Sequence, residues 1–257
     1  MSNDAPQHAW PGLNRDRLPR HVAVIMDGNR RWAKRKLLGG FQGHRAGVET
    51  VRTLVRLCRE VGIPHLTLYA FSTENWQRSD EEVSFLMSLF EEVIQRELDD
   101  LHRNQVRLRF IGDVEGLPRT LQRHIRQAED HTTGNHGLTL NVATNYGARR
   151  ELVRATQRLA ARVQAGTLAV EAIDEAAISA ELHTAGQPDP DLLIRTSGEA
   201  RLSNFLLWQL AYTELYLTDV LWPEFRQPHF LEALLSYQAR ERRFGGTGGA
   251  PSVAAAR

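Results

Sequence analysis

His21-Val22-Ala23-Val24-Ile25-Met26, running directly into Asp27-Gly28-Asn29-Arg30-Arg31-Trp32, decides the fold. The first half is apolar, which suggests a buried strand. The second half reads as a polar, cationic turn: a carboxylate at the strand's end, a glycine that frees the backbone, two guanidinium groups and an indole. In open α/β sheets the carboxyl edge of the strands is where ligands bind. A carboxylate beside arginines at that edge suits a magnesium-bound polyphosphate.

Strand and helix patterns alternate outward from this stretch. Residues 43–61 carry Val48, Val51, Leu54, Val55, Cys58 and Val61 on one helical face, and Gly62 then Pro64 end the run. Residues 65–71 read as the second strand. Ser79 with Glu82 three residues on resembles a capping box, opening a helix to about Arg103. Strands are expected at 106–111, 138–143, 192–195 and 213–217, and helices at 117–130, 148–163, 174–183 and 228–242. Strands separated by helices predict a single α/β domain with a central, mostly parallel sheet flanked by helices. The expected organisation is a flexible segment at 1–17, one catalytic domain at 18–244 and a flexible Gly/Ala-rich tail at 245–257.

The composition bounds the function. Of 257 residues, 42% are hydrophobic and 25% charged, as in a water-soluble globular chain. A net charge of +1 leaves no global field to attract nucleic acid, so any anion site must be a local arginine cluster. The one cysteine, Cys58, lies on an apolar helical stripe and permits no intrachain disulfide. No run of about 18 apolar residues predicts a membrane span. Residues 1–19 lack a signal-peptide core.

Several predicted strands end in reactive side chains that a parallel sheet would gather at one edge. Strand two ends in Ser72-Thr73-Glu74-Asn75-Trp76, then Arg78. Strand four runs into Asn145-Tyr146-Gly147 with Arg149 and Arg150 beyond. Strand five ends in Arg195-Thr196-Ser197-Gly198-Glu199, then Arg201 and Ser203. Gly39 to His44 lead into a helix N-terminus, a plausible phosphate loop. A P-loop, a G-x-G-x-x-G fingerprint, zinc-ligand spacing and a G-x-S-x-G elbow are all absent. Asp99-Asp100 lacks a third carboxylate and reads as a solvated helix face.

Five ordered blocks resemble the cis-prenyltransferase family, the group that includes bacterial undecaprenyl diphosphate synthases. They are HVAVIMDGNRRWA (21–33), LTLYAFSTENW with Arg78 (66–76), GLTLNVATNYGARRE (137–151), PDLLIRTSGEARLSNFLLWQLAYTELYLTDVLWPEF (190–225) and RERRFGG (240–246). The resemblance spans about residues 18–247. It implies a cis-prenyltransferase fold with a hydrophobic product tunnel between the sheet and the helices after strands one and two. It implies Mg²⁺-dependent, sequential cis-condensation of isopentenyl diphosphate onto farnesyl diphosphate. The implied product is undecaprenyl diphosphate, precursor of the lipid carrier for cell-wall polysaccharide. By resemblance Asp27 and Asn75 are catalytic, and Asp27 and Glu214 are metal-linked. Gly28, Asn29, Arg30, Arg31, Trp32, His44, Ser72, Thr73, Glu74, Trp76, Arg78, Arg195, Arg201, Leu202 and Ser203 contact substrate. Ala70 and Ala143 are expected to leave room in the tunnel. Trp208, Tyr212, Tyr216 and Trp222 are expected near a homodimer interface, with residues 242–245 reaching the partner. A cytoplasmic location follows, with at most transient contact at the inner membrane face and no nucleic-acid partner.

Two departures stand out. Gly40 occupies a position where some relatives carry an arginine, a contact that Lys34, Arg35 or a backbone N–H would have to replace. Ala148 replaces a frequent glycine. The other readings are a short- or medium-chain synthase and a non-catalytic lipid-binding partner subunit. Asp27, Asn75 and Arg31 together argue against the latter.

Overall fold

The structure is a computed structural model that describes residues 10–240. The strands are β1 (His21–Ile25), β2 (His65–Ser72), β3 (Arg107–Ile111), β4 (Thr139–Tyr146), β5 (Leu192–Arg195) and β6 (Glu214–Leu217). The helices are α1 (Asn29–Arg35), α2 (Gly40–Val61), α3 (Asp80–Arg103), α4 (Arg119–Thr132), α5 (Ala148–Gln164), α6 (Glu175–Ala180) and α7 (Gln227–Gln238). The six strands form one sheet in the order β3-β4-β2-β1-β5-β6, and every pairing is parallel. β1 sits at the centre. The chain moves to one side of it through β2 and to the other through β5, which makes the carboxyl end of β1 a topological switch point.

The all-apolar run of β1 is explained by two cores. Val22, Val24, Leu66, Leu68, Leu192 and Ile194 face the larger core, covered by α2, α3, α4 and α7. Ala23, Ile25, Ala143 and Leu193 face a smaller one with Tyr146, Ala148 and Phe205. Ala143 therefore points away from α2 and α3 and opens no space between them, contrary to expectation. Trp222 is also displaced from its expected place at a subunit interface. It is 1% exposed in the larger core, and its Nε1–H donates to the Gly47 carbonyl at 2.9 Å. Cys58 is fully buried, and burial pushes its thiol pKa up.

Residues 10–17 of the expected N-terminal segment pack on α7. Trp10 is buried edge-on to Phe230, and the Gln238 amide donates to the Asn14 carbonyl at 2.5 Å. The expected tail at 245–257, and residues 241–242 of the closing helix, lie outside the described residues. No helix among the described residues is long and apolar enough to cross a membrane.

At the amino end of the sheet, His21 is wholly buried. Its Nδ1 faces the Pro188 carbonyl at 2.7 Å, and a carbonyl only accepts, so Nδ1 carries the proton. Nε2 then accepts from the Thr67 hydroxyl at 2.7 Å, and Thr67 accepts from Asn141 at 2.9 Å. Burial lowers the His21 pKa from 6.5 to about 4, opposed by the Pro188 hydrogen bond. The unfolded chain thus takes up a proton in a range where the folded chain does not. His21 stability is complete above the unfolded pKa and is lost as pH falls from 6.5 toward 4, by about 3 kcal/mol. Urea unfolding across that range should show this slope, and His21→Asn should flatten it. Equal slopes for the two proteins would remove His21 as the source.

Candidate active site

Of the stretch expected as a turn after β1, Asn29 to Trp32 instead form the first part of α1. Gly28 caps it with φ of 106°, a left-handed conformation that glycine tolerates. A Cβ there would also come within 2.9 Å of Leu221 and 3.0 Å of Ser197. The helix packs against α2 at very close range. A Cβ on Gly43 would lie 2.1 Å from the Asn29 carbonyl oxygen, and one on Gly47 would lie 2.6 Å from Asn29 Oδ1. Backbone amides at the start of α1 have no helical acceptor and sit beside Asp27.

Asp27 is held from three sides. Its N–H donates to Thr196 Oγ1 at 3.0 Å, and the Thr196 hydroxyl donates back to the Asp27 carbonyl at 2.7 Å. Trp222 N–H donates to the same carbonyl at 3.0 Å. The carboxylate accepts from Arg195 at 3.0 Å and lies 3.6 Å from Arg31. Arg195 is buried, its side chain 3% exposed. Its fork also donates to Ser203 Oγ at 2.8 Å and to the Arg201 carbonyl. Its Nε–H is buried with no acceptor. An orphaned guanidinium donor in a cleft suits an anionic oxygen.

The other cations rest on carboxylates. Arg31 donates to Glu199 at 3.1 Å and to Ser197, and Arg201 pairs with the same Glu199. On the opposite wall Glu82, 8% exposed, accepts from Arg78 at 3.0 Å and lies 3.5 Å from His44 and 3.6 Å from Arg30. Glu82 was read as half of a capping box. Ser79 does accept from the Glu82 N–H at 3.4 Å, but the carboxylate turns into the cleft instead of capping the helix. Burial, reinforced by Arg78, lowers the His44 pKa and holds the ring neutral despite Glu82.

A 3₁₀ turn, Thr73–Gln77, follows β2 and closes the cleft. Here Ser72 and Asn75 cap each other: Ser72 Oγ accepts the Asn75 N–H, and Asn75 Oδ1 accepts the Ser72 N–H at 3.0 Å. The Asn75 oxygen is thereby committed to the backbone, leaving its NH₂ as the donor for a ligand. Glu74 accepts from Asn204 at 2.9 Å and Trp76 donates to Asn145 at 2.8 Å. Burial would raise the Glu74 pKa, but the Asn204 amide and neighbouring hydrogen bonds hold it below the usual carboxylate range.

Below this rim runs a cavity of about 760 Å³. Asp27, Asn29, His44, Ser72, Asn75, Arg78, Arg195, Arg201 and Ser203 line its polar end. Apolar side chains of α2, α3 and the sheet, among them Ala70, Leu86, Phe90 and Ile94, line its depth. Gly28, Arg30, Arg31, Trp32, Thr73, Glu74, Trp76 and Leu202 support the cleft from outside this lining. Lys34 and Arg35 are exposed and do not line it either, so they do not replace the arginine that Gly40 lacks.

Glu214 is not brought to the site. It opens β6 opposite Leu192, whereas the residue opposite Arg195 is Leu217. It therefore lies at the far end of the strand and pairs with Arg240 at 2.7 Å. Strand register, which the sequence pattern does not reveal, separates it from Asp27. No cluster of three His, Cys, Asp or Glu able to hold a metal exists among the described residues. One carboxylate at the polar end nevertheless fits Mg²⁺, which binds through one or two carboxylates plus substrate phosphates.

The family described as "Putative undecaprenyl diphosphate synthase" matches residues 25–245. An isoprenyl transferase of Prochlorococcus marinus is 55% identical over 230 residues, covering 90% of this chain and 86% of that protein. A ditrans,polycis-undecaprenyl-diphosphate synthase of Pasteurella multocida, farnesyl-diphosphate specific, is 52% identical, covering 91% and 98%. The crystal structure of lavandulyl diphosphate synthase from Lavandula x intermedia with dimethylallyl diphosphate superposes with a TM-score of 0.87. It is 40% identical, covering 90% of this chain and 99% of that one.

Proposed function

This chain belongs to the undecaprenyl diphosphate synthase family of prenyltransferases, and on that premise we propose that it elongates farnesyl diphosphate with isopentenyl diphosphate into a long cis-polyprenyl diphosphate. The observation that carries the reading is the buried Arg195 with its unpartnered Nε–H beside Asp27, at the head of an apolar cavity. Cations gather where two diphosphates must lie together, and hydrocarbon walls begin directly beneath them.

The allylic diphosphate lies against the start of α1, where Asp27, the free amides, Asn29 and His44 meet. Isopentenyl diphosphate lies on Arg195, Arg201 and Ser203. The C–O bond of the allylic diphosphate breaks and the double bond of isopentenyl diphosphate attacks the same carbon. A proton is then lost to give the new cis double bond. Asp27 is the residue that would hold Mg²⁺, and the ion supplies charge neutralisation to the departing diphosphate. Asn75, with its oxygen engaged, donates its NH₂ to a diphosphate oxygen, and the departing diphosphate takes the proton. The growing chain extends between α2 and α3. A second copy of the chain fits the free edge of the sheet, where β6 leaves Leu215 and Leu217 exposed beside Tyr212. This supports the homodimer reading.

Incubating the purified chain with farnesyl and isopentenyl diphosphates and Mg²⁺, then sizing the products, tests the reading. A ladder ending at a long polyprenyl diphosphate is expected. Arrest after a few additions would assign a short-chain synthase, and no extension would reject the reading.

A further inference from the structure

The tip between α1 and α2 presents a feature that the condensation does not use. α1 ends in a Schellman motif: Leu38 N–H donates to the Ala33 carbonyl at 2.9 Å and Leu37 N–H to Lys34 at 3.2 Å. The left-handed position of that motif ordinarily takes glycine. Here it is Leu37, with φ of 56° and a side chain left in water, 94% exposed. Backbone strain and apolar hydration are both unfavourable, and no contact among the described residues offsets them. Leu38 and Phe41 are exposed beside it, Phe41 stacking on Phe85 at 4.4 Å.

The same tip is cationic. From Gly28 to Val48 the chain has Arg30, Arg31, Lys34, Arg35, Lys36 and Arg45 and no Asp or Glu. The arginines of this region and of the α2–α3 surface meet carboxylates, as Arg30 meets Glu82, Arg31 Glu199, Arg45 Glu92, Arg52 Glu97 and Arg56 Glu60. Lys34, Arg35 and Lys36 are exposed and form no ion pair among the described residues. Unpaired cations flanking exposed leucines complement an anionic bilayer surface, where headgroups take the charge and the acyl boundary takes the leucines. A soluble polyanion would use the cations alone.

We propose that the Lys34 to Phe41 tip docks this protein on an anionic lipid bilayer. The tip joins α1, which starts just after Asp27, to the helix that carries His44, so docking sets the polar mouth of the cavity at the headgroups. The value of that placement for a polyprenyl product rests on the function proposed above, but the docking itself is measured without it.

Co-sedimentation of the full chain with vesicles of phosphatidylglycerol and phosphatidylcholine, against phosphatidylcholine alone, provides the test. Binding to the anionic vesicles only, weakened by salt, is expected. Leu37→Gly should lower that affinity about tenfold by removing one inserted side chain. It should also raise Tm by about 2 °C by relieving the backbone. Lowered binding with raised stability cannot come from misfolding. Replacing Lys34, Arg35 and Lys36 together with Gln should cost about a hundredfold. No binding by the natural chain would overturn the proposal. Undiminished binding by Leu37→Gly would also overturn it, because the vesicle contact would then not run through this tip.

Discussion

Asp27→Ala is expected to lower kcat by about 10²- to 10³-fold, the usual effect of removing one group aimed at developing transition-state charge. Diphosphate departs slowly unless its growing charge is neutralised. Asp27 is the carboxylate at the polar end of the cavity whose neighbours are Arg195 from the end of β5 and Arg31 from α1. Its removal takes away the residue that, on the proposed reading, would hold Mg²⁺, and frees Arg195 and Arg31, the guanidiniums within 3.6 Å of it. Those freed arginines still bind diphosphate, so KM for the allylic substrate should change far less than kcat. The fold should persist, because the side chain is 30% exposed and its backbone, not its carboxylate, carries the bonds to Thr196 and Trp222. Steady-state kinetics with farnesyl diphosphate, together with an unchanged Tm, checks this. A loss below tenfold would remove Asp27 from the chemistry.

Asp27 and Arg195 were legible as partners because both end buried apolar runs, and parallel strands put such ends on one edge. α2 and α3 were legible through their apolar period. α1 was not. Its start has no side-chain cap, and residues 29–35 show no apolar repeat. What makes the segment helical is the backbone at Gly28 and the close approach of Gly43 and Gly47, both tertiary facts. β4 runs to Tyr146 instead of stopping at Ala143 because Thr144 and Asn145, though polar, are buried. Asn145 accepts from Trp76 and donates to the Asp113 carbonyl. Glu82 was misread because a local motif competes with distant cations that no local pattern announces. Gly40 shows the same limit. A Cβ there would meet nothing within 4 Å, so no crowding demands glycine.

Arg195→Lys should lower kcat/KM for isopentenyl diphosphate by about 10²-fold although the charge is kept. Arginine presents a planar fork of five donors, and lysine a single ammonium on a flexible stem. In the structure the fork is already divided: one terminal nitrogen serves Ser203 and the Arg201 carbonyl, and the other serves Asp27. The Nε–H remains for substrate. A lysine that reaches Asp27 leaves Ser203 and the Arg201 carbonyl without a donor, and one that turns to them leaves Asp27. Either choice gives up at least one hydrogen bond made by a charged donor, worth about 1.5–3 kcal/mol. The loop that carries Arg201 and Ser203 includes left-handed residues Ser203 and Asn204, so it has little capacity to follow a shorter contact. The loss should therefore fall on KM for isopentenyl diphosphate and on kcat together, with KM for the allylic substrate nearly unchanged. This pattern separates Arg195 from Asp27, whose removal acts on kcat. A variant with equal kcat/KM for isopentenyl diphosphate would show that charge alone suffices, and that the second diphosphate is held elsewhere.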